Sequence, residues 1–223
     1  MTTPPQDDAT LFALMESKLY AAVLSDVLDG LGFRNQAMAA RLRPVYPGAV
    51  VLGRAHTALT VDIFELRPDP YRMEIEAVDT LKPGDVMVAA TGPSERTCFW
   101  GELLSTASRL RGARGAVVDG YVRDVRQIQA MGWPVFSTGM SPLDSAGRSA
   151  VVEYGTPVQC GGVLVREGDI VFGDVDGLVV VPREAETEAV RRALEKVDGE
   201  DRTRAALESG MTLTKVYEKY GLL

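Results

Sequence analysis

Histidine occurs once in this chain of 223 residues, at His56, and cysteine twice, at Cys98 and Cys160. That inventory excludes a zinc centre of the His/Cys kind, which takes three or four such ligands. Two isolated cysteines fit a reducing compartment, and a cysteine nucleophile would have only His56 as its base. Lysine is scarce too. Lys18, Lys82, Lys196, Lys215 and Lys219 all lie outside residues 91–124, so no Schiff-base lysine is expected in those loops. No run of 18 apolar residues exists, and no membrane span is expected. The opening "MTTPPQDDAT" has neither the basic nor the apolar region of a signal peptide. It reads as a frayed tail over residues 1–9 of a cytoplasmic protein. Net charge is −7 with no Lys/Arg block, so nucleic acid is not an expected partner. Gly-rich dinucleotide loops, Walker loops and HExxH are absent as well.

What is present suits one packed domain over residues 1–223: 46% hydrophobic and 25% charged residues, with no linker and no low-complexity segment. Apolar spacing of three to four predicts helix over 10–31, split in two with Ser25 as a cap and Gly30 or Gly32 as a stop. Residues 49–61 read as a strand interrupted by Gly53, 71–81 as a helix and 86–90 as a buried strand. A helix over 100–111, a strand over 115–119, a helix over 123–131 and a strand over 134–138 follow. This alternation predicts a βαβ unit and a mainly parallel sheet. Beyond residue 150, short apolar runs broken by glycine pairs predict a compact second β layer. Charge-laced helices over 183–208 and 211–220 close the chain.

Within "RGAVVDGYVRDV", an apolar strand ends at Asp119-Gly120, and Arg123 and Asp124 follow side by side where a helix should begin. A plain helix start explains them, since Asp favours a first turn. So does a site that holds an anion with Arg123 and a cation with Asp124. In parallel α/β sheets ligands gather at the carboxyl ends of strands. If strands 86–90 and 115–119 are neighbours, the helix start at Gly101-Glu102 joins Arg123 and Asp124 at one pocket. The amides of Leu103 and Leu104 and the Arg123 guanidinium then suit a carboxylate. Asp124 and Glu102 offer oxygen ligands of the kind that Mg²⁺ or Mn²⁺ takes. Asp119 is a candidate to steady the loop or accept from Arg123, and Arg96 to meet a distal substrate carboxylate. His56 reads as a core residue. Asp174 and Asp176, in "FGDVDGLVV", read as an oxygen-ligand pair or as a turn between strands.

The stretch "GELLSTASRLRGARGAVVDGYVRD" resembles the core of the family that holds the regulator of ribonuclease E activity A and the class II 4-hydroxy-4-methyl-2-oxoglutarate/4-carboxy-4-hydroxy-2-oxoadipate aldolases. The likeness extends through "LSDVLDGLG", "GDIVFGDVDGLVVVP" and "RAALESGMTLTKVYEKYG". It implies a swivelling α/β/β/α domain that assembles as a homotrimer or homohexamer, with helices of the 183–223 segment at a subunit interface. It implies that Asp124 binds the metal directly and that Glu102 orders a metal-bound water. Arg123, with the backbone of Gly101, Leu103 and Leu104, would hold the pyruvate end of a 2-oxo acid. Glu200 is a candidate to reach a neighbouring subunit's site. The aldolases resemble this chain except for Asp where Glu102 stands. The implied activity is a metal-dependent lyase that releases pyruvate, with oxaloacetate decarboxylation through the same enolate. A non-catalytic regulator of a ribonuclease or helicase shares the fold and is the alternative.

Overall fold

The computed structural model describes residues 4–5, 7–92 and 94–221. Four parallel strands make its centre: β2 (Val51–Asp62), β3 (Asp85–Ala90), β5 (Gly115–Val122) and β6 (Val135–Met140). Thr57, Val88, Val117 and Phe136 stand side by side across them. The crossovers are α3 (Arg72–Asp79), then β4 (Cys98–Trp100) with α4 (Glu102–Leu110), then α5 (Val125–Ala130). Both faces of the centre are covered, which is why "VMVAA" is an unbroken apolar run rather than an alternating one. Met87, Ala89, Ala116, Val118 and Val122 pack with the residues of α3–α5. Val86, Val88, Ala90 and Val117 pack on the opposite face. That face is closed by Met38, Leu42 and a separate hairpin of β8 (Val158–Cys160) and β9 (Val163–Val165).

Antiparallel strands flank the centre. β10 (Ile170–Gly173) pairs with β2, and β11 (Leu178–Val181) forms the edge beyond it. β7 (Ser149–Tyr154) pairs with the later half of β2, and β1 (Arg43–Pro44) with β6. The helices α1 (Asp8–Lys18), α2 (Ala21–Gly30) and α6 (Glu186–Glu208) cover the β10–β11 end, and α7 (Leu213–Tyr220) follows. Leu11, Phe12, Leu24 and Leu28 meet Ile170, Val181 and Ala189 there. Each such large side chain contributes roughly 1.5–3 kcal/mol on burial. No described helix is long and apolar enough to cross a membrane.

The mixed α/β architecture is the expected one, with differences in detail. Residues 8 and 9 belong to α1, which Asp7 caps through Thr10, so the expected tail is shorter; residues 1–3 and 6 lie outside the described residues. The break in the first helical region falls at Leu19-Tyr20, not at Ser25, which sits inside α2. The reason is tertiary: the Asp174 carboxylate accepts from the Ala21 amide at 2.8 Å and supplies the cap from across the chain. Asp174 also accepts from the Asp176 amide at 2.9 Å, so this pair makes the β10–β11 turn. Gly53 does not interrupt β2. A Cβ there would lie 2.3 Å from the Gly84 carbonyl oxygen, so its glycine permits close approach instead. Of the expected second β layer only β8–β9 is separate, because β7 and β10 find hydrogen-bonding edges on β2 and β11 pairs with β10.

Candidate active site

β3 and β5 are parallel neighbours, so the chain that leaves each of them converges on one place. β4 runs beside the end of β5, and the Arg123 amide donates to the Trp100 carbonyl at 2.9 Å. Asp124 then takes the left-handed conformation (φ 59°, ψ 29°), unique among the described non-glycine residues. Such a backbone costs an L-residue about 1–2 kcal/mol, which Asp tolerates better than most. The turn it makes sends the carboxylate back over Gly101. A Cβ at Gly101 would stand 2.7 Å from Asp124 Oδ2 and 3.2 Å from Arg123 Cγ. Position 101 is therefore a close-approach glycine that opens α4.

The Glu102 amide donates to Asp124 Oδ2 at 3.2 Å. Among the described residues the Leu103 and Leu104 amides meet no acceptor, as the first turn of a helix leaves them. Glu102 lays its carboxylate along α4, where Oε1 accepts from Thr106 Oγ1 at 2.8 Å. Arg123 points the other way. Its Nη1 donates to Asp144 Oδ1 at 3.1 Å and lies 3.5 Å from the Leu143 carbonyl, while Nε stands 3.8 Å from Asp124 Oδ2. Asp144 Oδ2 in turn accepts from the Tyr71 hydroxyl at 2.5 Å.

These groups border a cavity of about 370 Å³ between α3 and α4, walled by Tyr71, Glu74, Leu103, Leu104, Arg123 and Asp144. Val122, Arg123 and Asp124 also face an open groove with Met140 and Pro142, so Asp124 is reached from two sides. Burial drives the Glu74 carboxyl up to about 7, with the Asp144 charge adding and the Ser145 hydroxyl and Arg123 opposing. Burial acts in the same direction on Asp144, but the Tyr71 hydroxyl, the Ser145 amide and Arg123 outweigh it and hold Asp144 below the usual carboxylate range. Burial also raises the Cys98 thiol, whose Sγ donates to the Ser141 carbonyl at 2.9 Å.

Gly101, Glu102, Leu103, Leu104, Arg123 and Asp124 thus come together, while three other sequence candidates stand elsewhere. Asp119 points to the β8–β9 face, accepting from Arg41 Nη2 at 2.8 Å and from the Gly161 amide at 2.8 Å, and so does not accept from Arg123. Arg123 lies one residue beyond the end of β5, where the chain has left the strand, and its side chain turns to the α3–α4 side. Arg96 lies over the Phe64 ring, 4.2 Å from its centroid, with Asp62 3.7 Å away, and does not line the cavity. Glu200 accepts from Tyr20 of its own chain, 3.9 Å from Lys196 Nζ. His56 is a core residue as expected, bonded to Glu167 at 2.8 Å. Tyr71, Glu74, Asp144 and Ser145 were missed. The only signal for them was the spacing of Tyr71, Glu74 and Ile75, one face of α3.

Among the described residues no three His, Cys, Asp or Glu side chains are grouped to hold an ion. Asp124 offers a half-exposed carboxylate at a mouth kept clear by Gly101, without a side-chain capping bond to α5. One carboxylate with waters and substrate oxygens is an arrangement that Mg²⁺ accepts.

This chain is similar to proteins of known sequence and structure. A Halalkalibacterium halodurans protein named "Putative 4-hydroxy-4-methyl-2-oxoglutarate aldolase" is 31% identical over 198 residues, 88% of this chain and 89% of that protein. An uncharacterized protein from Pseudomonas syringae has the same fold, with a TM-score of 0.85 and 25% identity over 99% of this chain and 98% of its own. Streptomyces coelicolor RraAS2, described as an unusual member of the RNase ES inhibitor RraA protein family, superposes with a TM-score of 0.78 at 29% identity, over 92% of this chain and 98% of its own. The RraA-like family model, described as Aldolase/RraA, matches residues 21–180, and this chain belongs to that family.

Proposed function

We propose that this protein is a divalent-metal-dependent lyase that cleaves a 4-hydroxy-2-oxo acid to pyruvate. The observation that carries the reading is the junction of Arg123, Asp124 and the α4 N-terminus at one cavity. Asp124 would hold Mg²⁺ or Mn²⁺ directly and Glu102 through water. The ion supplies Lewis-acid polarisation of the 2-oxo group. Arg123 has Nη1 committed to Asp144, which leaves Nη2 and Nε for the substrate carboxylate. The Leu103 and Leu104 amides, at the positive end of α4, add two donors for the same end of the substrate. Donors fixed before the reaction stabilise the enolate oxygen as charge grows on it. Oxaloacetate decarboxylation yields the same enolate and is proposed as a second activity.

The assembly is proposed to be a homotrimer or homohexamer, with α6 and α7 at subunit contacts. Leu213 and Tyr217 on α7 support this, being 54% and 55% exposed in the single chain. In the oligomer Glu200 would act at a neighbour's site.

The likeness to RraAS2 favours one other reading, a binding protein that modulates a ribonuclease without chemistry of its own. The complete Arg123–Asp124–Gly101 arrangement supports the lyase over it. The test is pyruvate release from 4-carboxy-4-hydroxy-2-oxoadipate and from oxaloacetate, read by coupled NADH oxidation with Mg²⁺ and with chelator. Metal-dependent release is expected. A folded, metal-loaded protein silent on both substrates overturns the lyase reading.

A further inference from the structure

We propose that Glu74 carries the proton of this reaction, taking it from the substrate 4-hydroxyl as the C3–C4 bond breaks and returning it to C3 of the enolate. The inference rests on the pyruvate-forming reading above. Its basis is placement. Helix α3 turns Tyr71, Glu74 and Ile75 into the cavity that Arg123 and Asp124 enter from the other side. Glu74 Oε2 accepts from Ser145 Oγ at 3.3 Å, and among the described residues this is the carboxyl's one hydrogen bond. Among the described residues no cation is paired with it, because the guanidinium of Arg123 is drawn to Asp144 and Asp124. In a cavity lined also by Leu104, Ile75 and Trp100, a carboxyl with a single hydroxyl partner loses much of the hydration that favours its anion.

The neighbours of Glu74 leave the role to it. Asp144 and Ser145 face it from the loop after β6, Tyr71 from the start of its own helix, Arg123 and Asp124 from the end of β5, and Cys98 from β4. The Asp144 hydrogen bond raises the Tyr71 hydroxyl, and burial adds to it, so this group keeps its proton at neutral pH. Burial does the same for the Cys98 thiol. Asp144 is held in the ionised form. Glu74, at about 7, exists in both forms near neutrality, which is what accepting and then returning a proton requires.

The step balances without another reactant. The 4-hydroxyl O–H pair becomes the second bond of the new C4 carbonyl, and its proton moves to the Glu74 carboxylate. The C3–C4 pair becomes the C2–C3 double bond of the enolate, with the carbonyl pair moving onto the C2 oxygen. The enolate then takes the proton back from Glu74 at C3, which becomes the methyl group of pyruvate. Oxaloacetate needs only the second half, since carbon dioxide departs without a hydroxyl proton to remove.

The experiment compares the full-length protein with Glu74→Gln, which keeps an acceptor for Ser145, and with Glu74→Asp. Exchange of pyruvate methyl protons in D₂O with Mg²⁺ is read by ¹H NMR. Oxalate, a planar enolate mimic, is titrated calorimetrically, and the pH profile of kcat/KM is recorded for the hydroxy acid. In Glu74→Gln we expect exchange and cleavage to fall by about 100-fold or more. The pH limb near 7 should vanish. Oxalate affinity should stay, and cleavage should suffer more than carbon dioxide release from oxaloacetate. Glu74→Asp should recover part of the exchange. Wild-type exchange and an intact limb in Glu74→Gln overturn the assignment alone, as does loss of oxalate binding, which makes Glu74 a structural wall. A wild-type protein that neither exchanges pyruvate protons nor binds oxalate with Mg²⁺ or Mn²⁺ overturns the pyruvate reading and this inference with it.

Discussion

Gly101 and Asp124 fit together as a socket and its occupant: Asp124 Oδ2 fills the space 2.7 Å from where a Cβ of residue 101 would stand. Gly101→Ala must push the carboxylate, and Arg123 beside it, out of place. Overpacking of this kind costs about 1–3 kcal/mol. The protein should stay folded with a lower Tm, while pyruvate release falls by about 100-fold, the usual result of displacing a reacting group by an ångström. An alanine variant with wild-type kinetics would show that Asp124 need not lie where it does.

Asp124 is held in a left-handed backbone that glycine would adopt without strain. Asp124→Gly removes the carboxylate and that strain together. Stability should change little or rise by up to about 1 kcal/mol. Activity and metal binding should be lost. Chemical denaturation beside Mn²⁺ binding by electron paramagnetic resonance reads both; retained Mn²⁺ affinity would remove Asp124 from the ion's ligands.

Asp144 anchors Arg123 at 3.1 Å and is itself held by Tyr71. Asp144→Asn keeps the shape and removes the charge. A charge-assisted bond of this kind is worth about 1.5–3 kcal/mol, so KM should rise by about ten-fold or more. Tyr71→Phe leaves the ion pair in place and should cost less, about 0.5–1.5 kcal/mol. Equal effects of the two would mean that the hydroxyl, rather than the charge, orients Arg123.

Arg96 rests on Phe64 and Asp62. Arg96→Ala should leave kcat and KM for the hydroxy acid unchanged. A rise in KM confined to substrates with a distal carboxylate would bring Arg96 back to the site, through a rearrangement of its loop.

His56, the single histidine, is buried and pairs with a half-exposed Glu167. Burial lowers its pKa, but the hydrogen bond and charge of Glu167, aided by Asp85 and the Ala77 carbonyl, prevail and raise it above 6.5. Glu167 is lowered below 4.5: burial opposes, and the bonds to His56 and the Thr57 amide outweigh it. A raised histidine contributes stability that is complete below 6.5 and is lost as pH rises through its folded pKa. A lowered glutamate contributes above 4.5 and is lost as pH falls through its folded value. The stability gap between wild type and Glu167→Gln should therefore be widest between pH 4.5 and 6.5 and shrink above the His56 midpoint. The imidazole resonance should titrate lower in the variant; an unmoved midpoint would dismiss the pair.

Local spacing was enough for the βαβ core and for the approach of Glu102 to Arg123-Asp124, because both follow from near neighbours in the chain. Apolar runs in β3 and β5 demand cover on both faces. Parallel pairing of those strands then delivers the next helix starts to one end. Spacing could not show that Asp119, four residues before Arg123, serves the opposite face through Arg41 and Gly161. Nor could it show that Asp174 caps α2.

Tyr71, Glu74 and Asp144 were beyond the reach of sequence for a related reason. Each looks like a solvated side chain on its own segment, and only packing of α3 and the 141–148 loop around Arg123 brings them together. Residue order established which elements form and which strand ends meet, since backbone hydrogen bonding and apolar periodicity are short-range. Which carboxyl is solvated, paired or buried was decided by the fold, because a charge's environment is set by whatever else occupies the space around it.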